Sequence, residues 1–277
     1  SRTAVFPHAE SWNGVIVIKL RLPMGSHRVR ARSMRPPWAS LEFENRFRWR
    51  VLCIPIAVAL SQCAWAFGTS PFLPLQDGNS WTYQVNGVAG LARTVRPGTV
   101  LVNGAAVKVI AYADGSTLYL TNDENGIRQH RSDTVLESDT YSPPIMLASP
   151  DAELGRAVNS SGTITAVLSS NPASPVTLNY SASSTPVHFE VVTVPAGVFT
   201  TLLMQTNVSG SGTVNGQAVS LSTITYSWVA KNIGVVKQQV QATGQAAATA
   251  LLHATNVALP APLGGSSGRS RIAAGSR

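Results

Sequence analysis

Residues Thr99 to Gly115 read TVLVNGAAVKVIAYADG. Apolar and polar residues alternate on both sides of Asn103-Gly104, the period of a half-buried strand. Asn-Gly is a favoured two-residue hairpin turn because both residues tolerate positive φ. The stretch predicts two antiparallel strands joined at that dipeptide.

The same grammar extends in both directions. Upstream, SWTYQVNG places Trp81, Tyr83 and Val85 on one strand face. Downstream, STLYLTNDENGIRQH is a second hairpin with a polar tip over Asn122 to Gly126. PVTLNYSAS, VHFEVVTVPAGVF, TLLMQTNVSGSGTVNGQAVSLSTITYSWVA and GVVKQQVQATG continue the pattern, and ALLHATNVAL closes it. PPIMLASPDAELG, punctuated by proline, reads as an irregular crossing, and SDTVLESDT reads as a solvated acidic loop around Asp133, Glu137 and Asp139. About ten strands with little helix predict a single all-β domain over residues 67–261, a curved antiparallel sheet, partial barrel or sandwich. Residues 262–277 read as a flexible tail.

Upstream of this domain, RFRWRVLCIPIAVALSQCAWAFG (Arg46 to Gly68) has a basic start, an apolar run from Val51 to Leu60 and small residues at Ala64 and Ala66. That layout predicts a signal peptide over residues 46–66, helical before cleavage after Ala66. The apolar run is about ten residues, against the roughly twenty that span a bilayer. LSQC, ending at Cys63, is a rival lipid-attachment site, loosened by Gln62 where a small residue is usual. Residues 1–45 are basic and irregular, and are expected to be disordered or non-native.

The chain has 277 residues and a net charge of +8. Residues 1–66 hold 10 Lys and Arg against 3 Asp and Glu, and residues 67–277 hold 11 against 10. The basicity therefore lies upstream of the β-domain, which removes the main argument for a nucleic-acid partner. Both cysteines, Cys53 and Cys63, are upstream as well. A cysteine-free domain suits an oxidising compartment, periplasmic or extracellular. Membrane association is expected only through the signal segment or a lipid anchor.

Chemistry is sparse. His188 and Glu190 share a strand face, an arrangement open to a metal or an acid/base pair, yet more often a solvated surface. NDENG lacks the spacing of a calcium loop. No Gly-x-Ser-x-Gly elbow or phosphate loop occurs in the β-domain. No catalytic residue, metal site or cofactor is expected. The aromatic residues Trp81, Tyr83, Phe199 and Trp228 are the candidates to line a concave apolar pocket.

Three segments together carry a resemblance: FLPLQDGNSWTY (Phe72 to Tyr83), VPAGVFTTLLM (Val194 to Met204) and YSWVAKNIGVVKQQ (Tyr226 to Gln239). They resemble a loose group of bacterial exported proteins related in pattern to the DUF3108 domains of unknown function. The resemblance implies a curved antiparallel sheet in an envelope or secreted protein, and no reaction. The function expected is non-enzymatic binding of an apolar small molecule or an envelope component. A carbohydrate-binding or adhesion module with exposed aromatic platforms is the alternative, and a hydrolase is a more remote one.

Mass spectrometry of the protein from its native host is expected to give an N-terminus at Phe67. An N-terminus before residue 46 would refute the export reading.

Overall fold

The computed structural model describes residues 66–214 and 216–258. Residues 46–65 of the signal segment, Cys63 and Ala64 among them, residues 1–45 and the tail lie outside the described residues, while Ala66 is described and exposed. The strands are β1 (Phe67–Gly68), β2 (Ser80–Val85), β3 (Val88–Val95), β4 (Val100–Val102), β5 (Ala105–Tyr112), β6 (Thr117–Asp123), β7 (Gly126–Asp133) and β8 (Glu137–Ala148). They continue as β9 (Asp151–Ala152), β10 (Val158–Leu168), β11 (Asn171–Val194), β12 (Gly197–Val214), β13 (Gln217–Ala230), β14 (Gly234–Ala242) and β15 (Ala248–Thr255). A 3-10 turn at Ser70–Phe72 is the remaining regular element among the described residues.

Hairpin follows hairpin around the main sheet, so neighbouring strands pair antiparallel, while β1 and β9 pair with each other as a separate two-stranded sheet. β15 returns to β2, and β3 pairs with β5 through Arg93–Tyr112, Thr94–Ala111 and Val95–Ile110. This closes a ring of 12 antiparallel strands, with β4 flanking β5. The all-β expectation stands, and the open and sandwich forms of it resolve into a closed barrel. Closure removes the unpaired edges that a curved sheet would leave. Asn103 (φ 49°) and Gly104 (φ 79°) make the turn between β4 and β5, and Asn86 (φ 48°) and Gly87 (φ 87°) repeat it between β2 and β3.

Strand alternation sorts the side chains. Leu178, Tyr180, Ala182 and Ser184 of β11 are buried, while Thr177, Asn179 and Ser181 between them are exposed or partly so. β12 does the same, with Met204, Thr206 and Val208 buried and Ser209 and Ser211 exposed. This Ser/Thr-rich skin is the reverse of the outward apolar band of a transmembrane barrel.

Two expectations are corrected. The proline-rich stretch is not a crossing, because Pro143 and Pro144 lie within β8. They occupy an irregularity in register, between the pairs Arg131–Thr140 and Gln129–Ile145, where no ladder N–H is needed. The acidic stretch is not a solvated loop either. Glu137 is 5% exposed and Asp139 1%, both on β8. Asp139 pairs in register with Ser132 of β7 and Ala166 of β10, each buried as well.

Gly162 of β10 leaves no room for a side chain, since a Cβ there would collide with the Ser142 carbonyl oxygen and the Pro143 ring. Gly162→Ala is expected to destabilise by about 1–3 kcal/mol through overpacking, read as a lower denaturant midpoint. Gly68→Ala, which meets nothing within 4 Å, should change it by less than about 0.5 kcal/mol.

Candidate ligand-binding cavity

After β1 the chain crosses one end of the barrel as a strap. Asn122 at the end of β6 donates to the carbonyls of Ser70 (2.8 Å) and Leu73 (2.7 Å). The amide of Asn232, in the β13–β14 turn, donates to the Pro71 carbonyl at 2.7 Å. In the ring order β6 and β13 are diametrically opposed, so the strap spans the mouth. Thr69 ties it to a third point, donating to the Ser149 carbonyl at 2.7 Å.

Beneath the strap is a cavity of about 150 Å³. Phe72 and Leu73 contribute its roof, and Ile110, Leu120, Leu202, Met204 and Val229 supply apolar wall. Polar groups reach it from Arg93, Gln129, Thr225 and Gln238. The lining holds no Asp, Glu, His or Cys.

Trp81 and Tyr83, expected to line a pocket, both line this one. Each is anchored to the far side of β15. The Trp81 Nε1–H donates to the Ile233 carbonyl at 2.6 Å, and the Tyr83 hydroxyl donates to the Val235 carbonyl at 2.7 Å. Gly234 (φ 95°) sits between those acceptors, with Trp81 3.6 Å from where its Cβ would be. The segments Phe72 to Tyr83 and Tyr226 to Gln239 therefore meet at this point.

Phe199 and Trp228 are placed elsewhere. Ser227 and Val229 line the cavity, so Trp228 between them faces outward. Phe199 shares the outward phase of β12, because Leu202 and Met204 face in. Both are buried beside Val192, Val194 and Leu203, in an apolar cluster continuous with Trp81 and Tyr83. Trp228 donates to Glu190 Oε1 and carries Lys237 Nζ 4.0 Å above its ring. Glu190 lies 3.5 Å from His188 Nε2, and both residues are substantially solvent-exposed. No group of three or more metal-ligating side chains occurs among the described residues.

The residue that strand-by-strand reading passes over is Arg93. Its cross-strand partners Trp81 and Tyr112 both face the cavity, and Arg93 faces it with them, 5% exposed. The guanidinium carbon is 4.2 Å from the Tyr83 ring centroid and 4.8 Å from that of Tyr112. Nη2 donates to Gln238 Oε1 at 3.0 Å. The signal was present in LARTV, where Arg93 holds the apolar phase between Leu91 and Val95.

Burial pushes the Tyr83 hydroxyl up to about 12, partly offset by Arg93. Burial raises Tyr112 in the same way. Below pH 10 the folded and unfolded chains both keep the Tyr83 proton. Above it the unfolded chain releases the proton while the folded chain retains it up to about 12. Stability should therefore fall as pH rises from about 10 to 12, by about 2–3 kcal/mol from Tyr83. Tyr83→Phe is expected to make the fall in denaturant midpoint over that range shallower, at a cost near neutrality of about 1 kcal/mol for the lost hydrogen bond.

No protein family model and no curated protein matches the chain. Among solved structures, a lipoprotein candidate from Parabacteroides distasonis is similar at 13% identity and TM-score 0.38, over 66% of this chain and 97% of that one. The hypothetical lipoprotein YmcC from Escherichia coli is similar at 11% identity and TM-score 0.37, over 70% and 89%. An exported-protein candidate with a YmcC-like fold from Bacteroides fragilis is similar at 16% identity and TM-score 0.39, over 69% and 99%. These likenesses are distant, and the description of the barrel rests on its own strand pairing.

Proposed function

We propose that the chain is an exported barrel protein that binds a small apolar molecule in its interior and performs no chemistry on it. The observation that carries this reading is the strapped, mostly apolar cavity inside a closed barrel with a polar skin. A folded core fills its interior to near close packing, so a void of about 150 Å³ held open by a wall of large side chains calls for an occupant. An engineered apolar cavity of about that size in another protein takes up benzene. The lining offers hydroxyls, amides and the Arg93 guanidinium but no carboxylate, imidazole or thiol, which suits binding rather than turnover. Export rests on the segment 46–66 and on the neutral, cysteine-free composition that follows it. The periplasm or the outside of the cell is the destination, with Cys63 the attachment point if the protein is lipid-anchored. Membership among the exported DUF3108-like domains belongs to the same reading.

The competing readings need features found elsewhere or not brought together. Stacking platforms for sugars require exposed aromatic faces, whereas Phe189 is the one exposed aromatic residue among the described residues. A hydrolytic site at His188 and Glu190 would need a cleft and a further partner, and Glu190 is already engaged by Trp228.

Toluene, added to the purified protein, is expected to raise its melting temperature and to quench or shift Trp81 fluorescence. Val229→Phe, which fills the cavity, should abolish both effects while leaving the circular dichroism unchanged. Equal responses in the two proteins would place binding outside the barrel.

A further inference from the structure

Arg93 is a cation in a cavity that holds no carboxylate. It has no ion pair among the described residues, and its Nη2 donates to the neutral side-chain amide of Gln238. The Arg93 Nε–H is buried without a partner. Two more cavity-lining groups share that condition, the Gln129 side-chain amide nitrogen and the Thr225 hydroxyl. Gln129 is 3% exposed and Thr225 6%. The buried acids among the described residues, Glu137 and Asp139, lie toward the other end of β8 from Ala148 and are not part of the lining.

Burying an unpaired charge is among the costliest things a fold can do, and buried donors are normally satisfied. The two tyrosine faces offset part of the cost through cation–π attraction, but a ring face leaves the N–H donors without acceptors. A guanidinium and a primary amide that lack acceptors are complementary to an anion with two acceptor oxygens. The rest of the wall is aliphatic and aromatic. The single cation sets the charge of the complement at one.

Resting on the reading of the cavity as a small-molecule site, we propose that its ligand is a monoanionic carboxylate with an apolar body about the size of benzene. Arg93 and Gln129 hold the carboxylate. Trp81, Leu202, Met204 and the strap residues Phe72 and Leu73 enclose the body. The tyrosines then serve the site indirectly, by fixing the guanidinium plane from either side.

Calorimetric titration of the purified protein with sodium benzoate, benzamide and toluene separates the two ideas. Benzamide matches benzoate in shape and lacks its charge. The expected result is benzoate binding about tenfold or more tighter than either neutral probe. Arg93→Met should remove that preference while retaining toluene, and Gln129→Leu should weaken benzoate alone. Toluene binding with no preference for benzoate overturns the carboxylate proposal and leaves the apolar-ligand reading intact. Binding of none of the three overturns both. If Arg93→Met does not fold, the decision falls to the Arg93 Nε–H resonance of the wild-type protein. It must shift with benzoate and stay in place with benzamide, and an unmoved resonance overturns the assignment.

Discussion

The hydrogen bond from Trp81 to the Ile233 carbonyl, with that from Tyr83 to Val235 beside it, joins residues 152 positions apart. It fastens the first strand of the ring to the turn that begins the last hairpin. Both bonds are short, and the indole that makes one of them is buried, so breaking one leaves a carbonyl without a donor as well as an empty space. Much else depends on this attachment. It sets the wall against which Arg93 lies, it positions the turn whose Asn232 holds the strap, and it leaves the volume beneath the strap unfilled.

A closed ring of strands has one inside and one outside, and a β-strand distributes alternate residues between them. In this protein the inside has two parts. Toward the strap it is apolar around a cavity, with Arg93 and two amides set into the wall. Farther along it becomes a packed layer containing Tyr141, Ile164 and Leu178, with the buried acids Glu137 and Asp139 among them. Ser132 and Tyr141 hydrogen-bond within that layer at 3.2 Å, and burial raises the Tyr141 hydroxyl well above its ordinary value. Tolerating this many polar groups in a core is costly. Ser132 and Tyr141 of the packed layer are paired with each other, whereas Arg93 Nε, the Gln129 amide nitrogen and the Thr225 hydroxyl are unpaired beside open volume.

The outer face follows a different economy. Serine and threonine cover β10 to β13, and their hydroxyls face water. Toward the β11–β12 turn this gives way to the exposed Val187, Phe189, Val191 and Val198 and to Trp228 and Phe199, large aromatic residues in outward phase. These last two are buried because β11 and β12 run on past the end of β13 and bring Val192, Val194 and Glu190 into their neighbourhood. An aromatic residue on a strand can thus be core without touching the barrel's interior.

Local rules made most of the strands readable. Alternation marked them, and Asn-Gly marked the β4–β5 turn, because these depend on a few adjacent φ and ψ angles and on which side a Cβ points. Ring closure was not legible, since the β3–β5 pairing joins two strands by register and sheet curvature, which no short window contains. Nor was the burial of Glu137, Asp139 and Arg93, because inside and outside have no meaning until the ring closes. Trp81 and Tyr83 could be chosen as pocket residues from their shared face alone, but nothing local separated them from Phe199 and Trp228. Chain-local chemistry determined the strands, their turns and their alternating faces; tertiary closure decided which of those faces enclosed a cavity, because enclosure is a property of the whole ring.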